Sequence, residues 1–146
     1  MRGEGCGTVF ELITKPLHFS AFSAKLEIEL PLNAAGDFLL ASPFTLGPSS
    51  DGIHPPAEPV TLRIGTFATT IPPGSFKGSG VGPFTFQGVT GGVALNARIA
   101  PTGTKQYSLQ AEGRNANLTG TANPVPVTLT IGNDSGAVSV NARIVR

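Results

Sequence analysis

The side chains that most often build catalytic or metal sites are sparse in this chain. Its two histidines, His18 and His54, are far apart in sequence, and neither has a second His, Cys or carboxylate at a metal-ligand spacing. His54 shares a loop with Asp51. A His/Asp pair there is the arrangement a small hydrolase or metal-dependent enzyme with its site in the 47–59 loop would use. Glu27 and Glu29 fall on one face of an alternating run, and two carboxylates at a suitable separation can serve as acid and base in glycoside hydrolysis. A solvated strand carrying Lys25 beside them accounts for the same residues, and such charges discourage edge-to-edge pairing. No G-x-S-x-G pentapeptide is present. Gly78-Ser79-Gly80-Val81-Gly82 has the glycines of a phosphate loop, but a phosphate cradle opens a helix, and Pro83-Phe84-Thr85-Phe86 reads as a strand.

Binding chemistry has more candidates. Asp51 in Ser49-Ser50-Asp51-Gly52 and Asp134 in Asn133-Asp134-Ser135-Gly136 offer hard oxygens in tight turns, which makes calcium the one cofactor kept open; otherwise none is expected. The same residue types are what β-turns require in any case. Asn96 and Arg98 recur as Asn141 and Arg143. As a repeated polar platform, these four would suit a carboxylate, a sugar or a neighbouring subunit, because Arg presents a planar fork of donors. The chain has no Trp and a single Tyr, Tyr107, so a carbohydrate-binding module built on it would act by hydrogen bonds and not by stacking.

The elements that must position these residues are strands. Phe84-Thr85-Phe86, a turn and Val93–Ile99 align without a gap on Leu129-Thr130-Ile131, a turn and Val138–Ile144, at an offset of 45 residues. Val93, Leu95, Ala97 and Ile99 then share one face, and Ala94, Asn96 and Arg98 the other, which is a period of two. The repeat predicts two equivalent hairpins, 84–99 and 129–144, with Val93, Leu95, Ala97 and Ile99 and their mates Val138, Val140, Ala142 and Ile144 in one core. Gly7–Thr14 reads as a short strand. Lys25–Leu30 alternates and stops at Pro31, which suggests an edge. Asn33–Gly36 reads as a turn before a strand at Asp37–Leu46. Val60–Ile64 and Phe67–Ile71 flank Gly65-Thr66, whose leading glycine suits a type II′ turn. In Lys105–Glu112, Gln106, Ser108 and Gln110 face away from Tyr107, Leu109 and Ala111, and a further short strand is expected at Ala116–Thr121.

A chain of 146 residues is one domain's worth of sequence, and 40% hydrophobic with 13% charged places it well away from disordered chains. The Gly and Pro residues punctuate apolar alternating runs, the composition of a sandwich or barrel. A net charge of +1, with Lys and Arg scattered singly, gives no electrostatic footprint for nucleic acid. No run approaches the ~18 apolar residues of a membrane helix, and the aromatics are too few for the girdles of a membrane barrel. Membrane insertion is therefore not expected. The single cysteine, Cys6, cannot close an intrachain disulfide. Ser, Thr, Asn and Gly fill strand faces where Lys and Glu are commoner inside cells, pointing to an extracellular or cell-surface setting, although Met1–Gly5 has no secretory-signal character.

From Phe44 to Ile144 the chain resembles a family of short β-domain proteins from soil and environmental bacteria. The resemblance is carried by Phe44-Thr45-Leu46-Gly47, Glu58–Leu62, Thr69–Phe76, Ala116–Gly120 and Val127–Gly136. It implies no activity, because none is assigned to that family. Gly5-Cys6-Gly7-Thr8-Val9-Phe10-Glu11-Leu12 is similar to one unit of a tandem repeat of bacterial extracellular proteins, which implies that residues 1–22 are the remnant of an adjoining repeat region and that Met1 is an internal start.

The expectation is an all-β fold, an antiparallel β-sandwich of about nine strands over residues 23–146. Its expected use is a structural or binding module without catalysis. The two rivals are the enzyme of the 47–59 loop and the hydrogen-bonding carbohydrate binder. Partners are not legible beyond a protein or polysaccharide surface, or self-association.

Overall fold

The computed structural model describes residues 17–31, 35–50, 52–80 and 82–145. The strand expected at Gly7–Thr14, the repeat-like segment with Cys6, the first half of the 33–36 turn, and Asp51 lie outside the described residues. Among the described residues twelve strands run in chain order: β1 (Leu17–His18), β2 (Ala21–Phe22), β3 (Lys25–Glu29), β4 (Gly36–Thr45), β5 (Val60–Ile64), β6 (Phe67–Ile71), β7 (Phe84–Thr90), β8 (Val93–Gly103), β9 (Gln106–Ala116), β10 (Val125–Ile131), β11 (Asp134–Val140) and β12 (Arg143–Val145). The only helical element among the described residues is a single 3₁₀ turn at Pro55–Ala57.

Two sheets pack face to face as a β-sandwich. One has the order β1-β11-β10-β5-β6, the other β12-β3-β4-β9-β8-β7, with β2 pairing the far end of β4. Most pairs are antiparallel, but β1 runs parallel to β11 and β12 parallel to β3, so both sheets are mixed. Period-two alternation decides what is buried. Leu26, Ile28, Phe38, Leu40, Leu95, Ile99 and Leu109 from one sheet meet Leu62, Ile64, Val127, Leu129 and Ile131 from the other. The Phe38 and Phe67 rings, one from each sheet, sit 5.5 Å apart. Ser42 is buried within this core, and its hydroxyl donates to the Ser23 carbonyl at 2.6 Å, which removes the cost of an unmet polar group.

Three expectations change. The described residues alone hold twelve strands against about nine expected, because β1, β2 and β12 are two or three residues long, too short for alternation to show. β3 is not an edge strand. Pro31 lies beyond its end, and β12 covers it from the far end of the chain with Arg143 opposite Glu27. Ala116–Thr121 is not a strand. β9 stops at Ala116, and the Asn117 Oδ1 accepts the Thr119 N–H at 3.2 Å, closing a local turn. Gly65 takes φ +58°, as the first position of a type II′ loop requires.

The repeated hairpins are not equivalent. In the first, Thr90 pairs with Val93 around Gly91-Gly92; in the second, Ile131 pairs with Asp134 around Gly132-Asn133, four residues earlier than the repeat places it. Turn chemistry explains the shift. Gly91 and Gly92 both have positive φ (61° and 84°), the signature of a type I′ turn. Their counterparts are Gly136 and Ala137, and an alanine resists the second left-handed position. Gly132, with φ +59°, offers a glycine-led turn where the first copy has Gln87. Because the slip is an even number of residues, Val138 and Val140 still face inward, half-buried against the core. The slip also frees residues 141–145 from the hairpin. Asn123 anchors the crossover, its amide donating to the Ala142 carbonyl at 2.9 Å and accepting the Ala142 N–H at 2.7 Å. β12 then joins the opposite sheet.

Candidate functional site

The outer face of the seven-stranded sheet collects most of the polar chemistry. The described residues carry charged side chains at thirteen positions; nine of these are on this face or its rim, and Glu58, Arg63, Lys105 and Asp134 are elsewhere. The three large hydrophobic side chains that are exposed, Leu39, Val89 and Val145, are on it too. By contrast, the outer face of the five-stranded sheet is a field of small hydroxyls, with Ser135, Thr130, Thr61 and Thr70 in one row across four strands and Arg63 its one charge among the described residues.

Strand register arranges the charged face in ranks that run across the strands. One rank reads Gln87, Asn96, Glu112, Leu39, Glu27, Arg143 from β7 to β12. The rank beside it reads Thr85, Arg98, Gln110, Ala41, Lys25, and the isolated bridge of Lys77 to Thr85 extends it past the β7 edge. The third carries Val89, Ala94 and Arg114 at one end and Glu29 and Val145 at the other, with Asp37 between them at the β4 bulge.

A depression of about 640 Å³ lies over the β7–β8–β9 side of this face, lined by Lys77, Gln87, Asn96, Arg98, Gln110 and Glu112 among others. Two smaller ones adjoin it: one of about 410 Å³ reaches Val89 and Arg114, and one of about 270 Å³ gathers Glu27, Glu29 and Asp37 around Leu39. Arg114 pairs with Glu112 at 3.7 Å in an exposed contact that adds little to stability. Among the described residues, Lys25, Lys77 and Arg98 make no ion pair, so their charge faces solvent.

Asn96 and Arg98 therefore line one depression, as a binding platform would. Their repeat mates do not join them. Arg143 shares the Asn96 rank but stands four strands away, about 19 Å at the usual strand spacing. Asn141 is exposed in the link between β11 and β12. Gln87, Gln110, Glu112, Lys77 and Leu39 also belong to the site, and sequence reasoning does not single them out. The outward alternation of Gln106, Ser108 and Gln110 is the one local signal that points to any of them.

The other candidates fall elsewhere. Asp134 opens β11, paired with Ile131 and Leu17, and its side chain is fully buried instead of standing in an open turn. Among the described residues no three His, Cys, Asp or Glu side chains converge as metal ligands would. In the 47–59 loop, the His54 ring meets Phe84 edge-on at 6.1 Å, and Glu58 accepts the His54 backbone N–H at 2.6 Å. Lys105 holds the loop's other arm, its Nζ donating to the Pro48 and Ser50 carbonyls. Glu27 and Glu29 are exposed neighbours at the acidic end of the charged face.

Comparison with protein-family models, curated proteins and solved structures finds no match to this chain. No helix among the described residues is long and apolar enough to cross a membrane.

Proposed function

We propose that this β-sandwich is a non-catalytic binding module of the cell surface or extracellular space, and that it holds a polysaccharide on the outer face of its seven-stranded sheet. The observation that carries this reading is the segregation of charge, carboxamides and exposed aliphatic groups onto one sheet face, while the opposite face is small and nearly neutral. Carboxamides offer paired donors and acceptors to sugar hydroxyls. Leu39, 52% exposed between Glu112 and Glu27, gives an apolar patch for the face of a sugar ring. The Ser- and Thr-rich faces favour an extracellular setting.

Affinity electrophoresis through gels containing neutral and acidic polysaccharides tests the reading. At least one polymer should retard the protein, and the Asn96→Ala/Arg98→Ala double variant should lose about tenfold or more in affinity. Both residues are exposed, so each substitution should change stability by under ~0.5 kcal/mol. A Thr61→Ala/Thr130→Ala variant on the opposite sheet should bind as the parent does. Retardation that survives the double variant, or no retardation by any polymer, contradicts the proposal.

A further inference from the structure

We infer that the ligand is an acidic, carboxylate-bearing linear polysaccharide lying across the strands along one rank of cations; the inference rests on the binding-face reading above. The rank that contains Arg98 holds three cationic side chains, Lys77, Arg98 and Lys25, and no carboxylate. With neighbouring strands about 4.8 Å apart, Lys77 and Arg98 stand about 10 Å apart and Arg98 and Lys25 about 14 Å, on a line perpendicular to the strands. An extended polyanion can meet all three at once, whereas a small anion meets one. On one side the next rank holds Glu112 and Glu27 and the one beyond it Asp37 and Glu29, so a polyanion displaced that way runs into like charge; on the other side the next rank, Ala100, Ser108 and Pro43, has no cation to hold it. The face thus marks out a single track.

The chemistry along the track fits carboxylated sugars. Arg98 can grip a carboxylate with two parallel hydrogen bonds. Gln110 in the same rank and Asn96 and Gln87 beside it supply amides for ring hydroxyls. A nucleic acid is a poorer fit. Three cations make a short basic stripe, and Phe86, the one aromatic lining the depression, is half-buried with its ring against Phe76 at 5.9 Å, so it cannot stack on a base.

Calorimetric titration with an α-linked oligogalacturonate long enough to span the rank, with the same oligomer fully methyl-esterified, and with an oligothymidylate decides the matter. The free acid should bind, the ester about tenfold or more weakly, and added salt should weaken the acid's binding. Arg98→Ala should cost about tenfold and Lys25→Ala or Lys77→Ala a few-fold, while Glu112→Gln, which removes a like charge from the adjoining rank, should raise affinity. Equal binding of acid and ester, lost in the Asn96→Ala/Arg98→Ala variant, overturns the acidic ligand and leaves the binding face standing. Oligothymidylate binding as tight as the oligogalacturonate overturns the sugar assignment. No binding by any polysaccharide overturns both readings.

Discussion

Phe84→Ala is expected to destabilise the protein by about 3–5 kcal/mol, the upper end of the range for truncating one core side chain. Phe84 is fully buried at the start of β7 and pairs with Ile99. Two separate pieces of chain close over it. Its ring takes the His54 edge from the 47–59 loop. The neighbouring Thr85 exchanges both backbone hydrogen bonds with Lys77, at 2.7 and 2.8 Å, which ties the 72–80 connector to the β7 edge. The connector then presses against the ring so closely that a Cβ added at Gly78 would lie 3.0 Å from Phe84 Cδ1 and 2.5 Å from the Pro83 oxygen. A wall so constrained cannot collapse into the space left by the ring, and the cost of a large-to-small change grows with the cavity that remains. Chemical denaturation measures it as a lower midpoint with an unchanged slope. A loss below about 1 kcal/mol would show that the inner face of β7 is loosely packed.

Ile99→Ala and Ile144→Ala are expected to differ, although the two isoleucines occupy matching places in the repeat. Ile99 is fully buried between Phe84 and Leu109 on the neighbouring strands, and its truncation should cost about 2–5 kcal/mol. Ile144 is half-buried on the three-residue strand β12, paired with Ile28, and should cost roughly half as much. The difference reports the hairpin slip directly. Were the second copy folded as the first is, Ile144 would pair with Leu129 deep in the opposite sheet, and the two losses would be equal. Equal midpoints for the two variants would therefore contradict the register that places the turn at Gly132-Asn133.

Local features were legible in the sequence, and long-range ones were not. The inward faces of β3, β8 and β10 follow from alternation alone, because a period of two needs only neighbours along the chain. The all-β sandwich follows from the same signal. The slipped hairpin turns on two of the differences between the copies, Gly92 to Ala137 and Gln87 to Gly132, which act through allowed φ and not through hydrophobic pattern. The Asn96 and Arg98 pair was visible because it is repeated. That Lys25, Arg98 and Lys77 share a rank was not, since it depends on which strand lies beside which, and β3 reaches β8 only through β4 and β9. β12 beside β3 is the extreme case, joining the two ends of the described chain in parallel.

The most direct test of the binding face is a nuclear magnetic resonance titration of the labelled protein with an oligosaccharide cut from the polymer that retards it most. The largest backbone shifts should fall on Gln87, Asn96, Arg98 and Gln110, on three adjacent strands of the seven-stranded sheet. Shifts confined to the 47–59 loop, or to Thr61, Thr130 and Ser135 on the opposite sheet, would contradict it.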